Sequence, residues 1–128
     1  MDTLKVLREA RTLIARGYTT GQRYDGFGRF CALGALDAAG GGYQLHDIGI
    51  MPAVNALAAE IPGEPENIRN LPTPNRVAYY NNSTDQARTV ALFDRAIAKL
   101  EAKEFMTKLK SSIQNVEIIK ENSDVVCV

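Results

Sequence analysis

The chain is poor in several residue types that usually indicate a function. It has no tryptophan, one histidine and two cysteines among 128 residues, and 15 acidic side chains balance its 15 basic ones. Without a basic excess, general binding to nucleic acid is not expected. Cys31 and Cys127 are too few for a disulfide framework and fit a reducing cytoplasm. His46 has neither a second histidine nor an adjacent cysteine, so we expect no metal site and no cofactor.

Long apolar runs are also missing. No stretch approaches the roughly 20 apolar residues that span a bilayer. The chain begins with charged residues instead of a basic segment followed by an apolar one, so no secretory signal is expected. We therefore expect a cytoplasmic protein with no membrane partner. Hydrophobic residues make up 45% of the chain, which is sufficient for the core of one small domain.

The spacing of apolar residues predicts a mainly α, small globular domain with four principal helices. Their predicted ranges are 3–16, 31–39, 51–61 and 83–113, with short helical turns near 66–70 and 76–80. The first helix has a cap at Asp2 or Thr3 and a stop at Gly17. The fourth begins with a Ser-x-x-Gln sequence at Ser83, which has the spacing of a capping box.

An irregular stretch of glycines and aromatic residues, here called the aromatic loop (residues 17–30), precedes the second helix. That helix contains Gly34, which costs roughly 1 kcal/mol relative to alanine at a mid-helix position. We infer that another backbone segment comes close to Gly34.

The composition changes towards the C-terminus. Residues 1–95 contain nine arginines and one lysine, whereas residues 96–128 contain five lysines and no arginine. We predict a helical domain over 1–102 and a C-terminal extension over 103–128. An apolar stripe over 98–113 is displaced from the stripe before it, so residues 98–128 are a candidate surface for homo-oligomers. The β-branched residues after Val116 also fit a short β-hairpin.

Two motifs resemble a family of small domains of unknown function found in bacteria and their phages. They are Cys-Ala-Leu-Gly-Ala-Leu at 31–36 and Val-Ala-Tyr-Tyr-Asn-Asn at 77–82, within a resemblance that covers residues 3–102. Tyr80 and Asn82 stand where the family pattern has Trp and Asp. The resemblance implies a compact, mostly helical cytoplasmic domain of bacterial or phage origin, and it carries no catalytic residue.

A first candidate site is built on Cys31. A thiol at the start of a helix, with His46 as base and Asn81 as orienting group, follows the order of a thiol-protease triad. This interpretation requires the Asn81 amide to lie beside the start of the second helix. The alternatives are a buried, apolar Cys31, a surface or capping His46, and Asn81 as a helix-end residue.

A second candidate site lies in the aromatic loop. Arginine and aromatic side chains close together suit a planar, anionic ligand such as a nucleotide. Its predicted ligand-binding residues are Arg23, Tyr24, Phe27, Arg29 and Asn81. The alternative is a loop rich in turns with no ligand.

These observations lead to one expected function and two alternatives. We expect a small, cytoplasmic, non-enzymatic binding protein whose partner is a nucleotide-like small molecule or a host protein. The first alternative is a hydrolase or transferase that uses Cys31. The second is an oligomeric structural protein.

Overall fold

Helices form most of the structure, as the sequence predicted. The computed structural model describes residues 2–41, 49–63 and 66–127, with side chains described up to residue 113. Within these ranges the helices are α1 (Thr3–Arg16), α2 (Ala32–Ala39), α3 (Met51–Ala58), α4 (Glu66–Arg69), α5 (Thr73–Ser83) and α6 (Gln86–Cys127). The same ranges contain no β-strand, only isolated bridges that join Phe30 to Tyr18 and to Tyr24. The mainly α class is therefore confirmed.

The bounds of α1 follow from local signals. The Asp2 carboxylate accepts hydrogen bonds from the backbone N–H groups of Leu4 (3.1 Å) and Lys5 (3.3 Å), and Gly17 ends the helix. Leu7 and Ile14 are fully buried on the face that packs against α2. The predicted range 3–16 is confirmed.

Helix α2 occupies the core of the domain and packs against α1, α3 and α5. Its residues from Ala32 to Asp37 are all buried, and Gly40 ends it. A Cβ atom placed at Gly34 would lie 1.9 Å from the carbonyl oxygen of Arg23. The close backbone approach inferred from Gly34 is therefore present, and its partner is the aromatic loop.

Helix α5 is longer than the short turn predicted near 76–80. Pro74 lies in its first turn, where a missing N–H is tolerated, and Val77 and Asn81 are buried four residues apart on one face. Helix α3 ends at Ala58, before the predicted Ile61.

The predicted capping box at Ser83 is wrong. Ser83 ends α5, and its hydroxyl donates to the carbonyl oxygen of Tyr79 (2.6 Å). The Asp85 carboxylate instead accepts a hydrogen bond from the Arg88 N–H (2.8 Å) at the start of α6. One helix ends and the next begins within residues 83–86, and the spacing of a capping box does not show whether Ser83 ends the first or begins the second.

The chain divides into two compact units, Met1–Ala98 and Lys99–Val128. The predicted boundary after residue 102 remains a prediction and falls within α6. In the first unit, α6 contributes Leu92, Phe93 and Ala96 to the core. In the second, each described side chain from 101 to 113 is exposed. No described helix has both the length and the apolar character needed to cross a bilayer.

The predicted C-terminal hairpin is wrong, because α6 continues to Cys127. A two-stranded hairpin is marginally stable by itself, and the Glu-Asn-Ser sequence at 121–123 lacks the glycine of a tight hairpin turn. Continuing an existing helix adds one backbone hydrogen bond for each residue that is fixed.

Candidate functional site

The aromatic loop is closed by its own backbone hydrogen bonds. The N–H of Thr19 donates to the carbonyl of Phe30, and the N–H of Phe30 donates to the carbonyl of Gly17, each at 3.0 Å. The N–H of Cys31 donates to the carbonyl of Arg23 (3.1 Å). These bonds bring the two ends of the loop together, so the loop is an ordered platform and not an open connection.

Asp25 organises the tip of the loop. One oxygen of its carboxylate accepts from the N–H groups of Phe27 (2.7 Å) and Arg29 (3.1 Å), and the other pairs with the Arg29 guanidinium. Gly26 and Gly28 both have a φ of +84°, a left-handed conformation that strains residues with a Cβ atom. Two glycines and one carboxylate therefore fix the backbone on both sides of Phe27.

The pKa of Asp25 reflects these contacts. Partial burial of the carboxyl group raises its pKa, but hydrogen bonds from Phe27 and Arg29, together with the charge of Arg29, outweigh that effect. The pKa of Asp25 consequently lies below its ordinary value, and the carboxylate is ionised at neutral pH.

The tip holds Phe27 in solvent. This side chain is 85% exposed, more than any other large hydrophobic residue of the described chain. Tyr24, by contrast, stacks on Phe30 with ring centroids 4.7 Å apart and is 41% exposed. Two of the aromatic rings of the loop therefore stack on each other, whereas the ring of Phe27 protrudes into solvent.

Both arginines of the loop are paired with carboxylates. Arg29 pairs with Asp25, and Arg23 pairs with Asp37, whose side chain is almost completely buried in α2. The Arg23 pair ties the loop to α2 close to Gly34. The guanidinium charges predicted to bind an anionic ligand are therefore already balanced within the protein.

Asn81 joins α5 to the loop and to α2. Its side chain is buried, with Oδ1 accepting from the N–H of Ala32 (2.9 Å) and Nδ2 donating to the carbonyl of Thr19 (3.2 Å). The neighbouring Asn82 accepts from the N–H of Gly21 (3.0 Å). The structure places the Asn81 amide beside the start of α2, and its predicted roles as orienting group and ligand contact remain predictions.

Tyr18 adds a second tie between the loop and α5. Its hydroxyl donates to the carbonyl oxygen of Asn81 and lies 3.3 Å from that of Thr84. Burial raises the pKa of Tyr18 above its ordinary value, and this effect exceeds that of a hydrogen bond with Thr89, which lowers it. The phenol is therefore neutral and donates its hydrogen at physiological pH.

Cys31 is the N-cap residue of α2. Its thiol is buried, and Sγ accepts a hydrogen bond from the N–H of Gly34 at 3.4 Å. His46 lies outside the described residues. The triad of Cys31, His46 and Asn81 therefore stays a prediction. Of its members the structure describes Cys31 and Asn81, and Asn81 accepts from the N–H of Ala32, the residue that follows Cys31.

The sequence interpretation missed Asp25 and Asp37, on which the shape of the loop depends. A signal for Asp25 was present, because an Asp-Gly pair is typical of turns in which the carboxylate accepts backbone N–H groups. A signal for Asp37 was its position as the single charge in an apolar helix, where a buried carboxylate requires a cationic partner. The partner itself, Arg23, could not be read from spacing.

The comparisons with known proteins identify a family and nothing more specific. No curated protein and no solved structure matches the chain. A family model matches residues 1–99, a range that contains the aromatic loop, Asn81 and the buried part of α6. The resemblance to a family of unknown function is confirmed to that extent. Because the match covers most of its length, the chain belongs to DUF6197, a family of unknown function.

Proposed function

We propose that this chain is a small, non-enzymatic cytoplasmic protein that binds a partner protein through the tip of the aromatic loop, with Phe27 as the anchor. The observation that carries the proposal is the 85% exposure of Phe27 between two glycines of left-handed conformation. If the chain is of phage origin, as the resemblance implies, the partner is a protein of the host.

The energetic argument rests on burial of one ring. Moving a phenylalanine side chain from water into an apolar pocket contributes about 2–3 kcal/mol. Aromatic anchors of this kind carry a large share of the binding energy in protein interfaces. A ring that is 85% exposed contributes little burial energy to the folded chain itself.

Order in the loop strengthens the argument. Hydrogen bonds between Asp25 and the backbone of Phe27 and Arg29 fix the tip, and the backbone bonds of Thr19 and Phe30 join the ends of the loop, all without a partner. Ordering each flexible side chain at an interface costs about 0.5–1.5 kcal/mol, and ordering a loop adds to that cost. Because folding has already ordered the tip, more of the burial energy of Phe27 is available for binding.

A protein partner fits this geometry better than a nucleotide. Small-molecule sites are concave and surround most of their ligand, whereas a ring that is 85% exposed protrudes from the surface. Arg23 and Arg29 are both paired with carboxylates, so a phosphate would have to compete with Asp37 and Asp25. The exposed Arg29 instead suits the polar rim of an interface.

Photo-cross-linking tests the proposal. A benzoylphenylalanine at position 27 keeps an aromatic ring at the tip, and the same residue at position 79 is the control, because Tyr79 is also exposed (48%) but lies on α5. In extracts of the cell that produces the chain, which for a phage protein is the host, we expect one protein to cross-link to position 27 and not to position 79. Unlabelled wild-type protein should suppress this product, and unlabelled Phe27→Ala should not.

Two results would contradict the proposal. One is equal competition by wild type and Phe27→Ala, which would remove Phe27 from the contact. The other is thermal stabilisation by a nucleotide that depends on Arg23 and Arg29, with no cross-link at position 27, which would favour the small-ligand alternative.

A further inference from the structure

The unit Lys99–Val128 carries an apolar face that its own described residues do not cover. Every described side chain from 101 to 113 is exposed, and four of these are large and apolar. Phe105 is 64% exposed, Met106 49%, Leu109 42% and Ile113 50%. A helix in water derives most of its stability from packing such a face against a neighbour. This part of α6 therefore has the composition of a contact surface.

The sequence continues the face to the end of α6 with the spacing of a coiled coil. The positions alternate in steps of three and four, and six of the eight are apolar: Ala102, Phe105, Leu109, Ser112, Val116, Ile119, Ser123 and Val126. This 3.5-residue repeat over more than three heptads is typical of helices that pair along their length. Met106 and Ile113 widen the stripe on one side. The repeat points to another long helix as the partner.

The charges along the same segment indicate which helix is the partner and in which orientation it packs. Residues 99–113 contain four lysines and two glutamates, a net charge of +2, whereas residues 114–127 contain one lysine and three acidic residues, a net charge of −2. A second copy in antiparallel orientation places each basic half beside an acidic half. A parallel copy would place like charges together, which is unfavourable.

We propose that residues 102–126 of α6 pair in antiparallel orientation with the same segment of a second copy of this chain. The pairing covers Phe105, Leu109 and the stripe that continues from them, and charge complementarity selects the orientation. The contact belongs to a different unit from the aromatic loop, so failure of one proposal leaves the other intact.

Sedimentation equilibrium of the full chain tests the pairing. The wild type is expected to associate reversibly with increasing concentration. Leu109→Glu introduces a charge into the stripe and is expected to remain monomeric over the same range. Ser111→Glu adds the same charge to an exposed position outside the repeat. It lowers the net charge of the basic half only from +2 to +1, so its dissociation constant should stay within about twofold of the wild-type value. Circular dichroism shows whether both variants keep their helix.

Charge reversal tests the orientation. Lys108→Glu with Lys110→Glu changes the basic half from +2 to −2, so an antiparallel pair would then join two acidic halves. The dissociation constant is expected to rise about tenfold at low salt. Adding Glu117→Lys and Glu121→Lys changes the other half from −2 to +2. An antiparallel pair then again joins halves of opposite charge, and the dissociation constant should return to its original value.

The native Cys127 provides an independent check. Twenty-five residues of helix extend about 36 Å, so an antiparallel pair separates its two Cys127 residues by roughly that length, and mild oxidation should not link them. A wild type that stays monomeric, a Leu109→Glu variant that still associates, charge reversal without effect, or rapid Cys127 cross-linking within the dimer would each overturn the proposal.

Discussion

Substitution of Gly34 by alanine probes the contact between α2 and the aromatic loop. The added methyl group would lie 1.9 Å from the carbonyl oxygen and 2.6 Å from the carbonyl carbon of Arg23. Both are main-chain atoms, so a change of side-chain rotamer cannot relieve the clash. The same carbonyl accepts the hydrogen bond from the N–H of Cys31, and moving it away weakens the closure of the loop.

The expected effect is a loss of about 3 kcal/mol in the free energy of unfolding. Alanine is favoured over glycine within a helix by about 1 kcal/mol. Overpacking costs about 1–3 kcal/mol, and the upper value applies here because the clash is with backbone. The lost hydrogen bond adds about 1 kcal/mol. The unfavourable terms therefore exceed the gain in helix propensity.

Urea unfolding followed by circular dichroism measures this loss, with Ala38→Gly as the control. Ala38 is an exposed position of the same helix, where the reverse substitution should cost about 1 kcal/mol through propensity alone. If propensity governed both sites, the two variants would shift stability in opposite directions. A Gly34→Ala protein as stable as the wild type, or more stable, would refute the reasoning.

Three further substitutions test the ties of the loop. Asn81→Ala removes the side-chain partners of the buried Ala32 N–H and of the partly buried Thr19 carbonyl, and it should lower the free energy of unfolding by about 2–4 kcal/mol, measured by urea unfolding. The pKa of Asp25 is lower in the folded state than in the unfolded state. Its contribution to the free energy of unfolding is therefore complete above the unfolded pKa of about 4 and is lost as the pH falls through the lower folded pKa. Protonation of Asp25 removes the acceptor of the Phe27 N–H, so the amide resonance of Phe27 should shift as the pH falls through this value. Asp25→Asn should abolish that acid-dependent shift. The pKa of Tyr18 is higher in the folded state than in the unfolded state. Its contribution to the free energy of unfolding is therefore complete below the unfolded pKa of about 10 and is lost as the pH rises through the folded pKa. Tyr18→Phe should remove that alkaline loss, measured as thermal stability against pH.

Features that depend on neighbours in sequence could be predicted. The bounds of α1 follow from Asp2 and Gly17, which act within one helical turn, and the sequence prediction agrees with both. The close approach at Gly34 followed from the cost of glycine within a helix. These signals are reliable because each concerns the local backbone.

Features that depend on residues distant in sequence could not be predicted from the sequence. The pairing of Arg23 with Asp37 and the contact of Asn82 with Gly21 join segments that no periodicity relates. The prediction of Ser83 as an N-cap was wrong because α5 extends as far as Ser83. The length of α5 depends on tertiary burial of residues such as Val77, which the capping-box spacing does not reveal. For the candidate site, composition indicated the loop on which our proposal is based, and its function stays a prediction. The exposure of Phe27 and the pairing of the two arginines could be found only from the structure.

The central claim is that the aromatic loop holds Phe27 in one conformation at the surface before any partner binds. Backbone ¹⁵N relaxation of the full chain tests it most directly. We predict an order parameter of about 0.85 for the Phe27 amide, equal to that of the helices. An order parameter below about 0.6 at this residue would contradict the account, because a mobile tip would not be organised for binding.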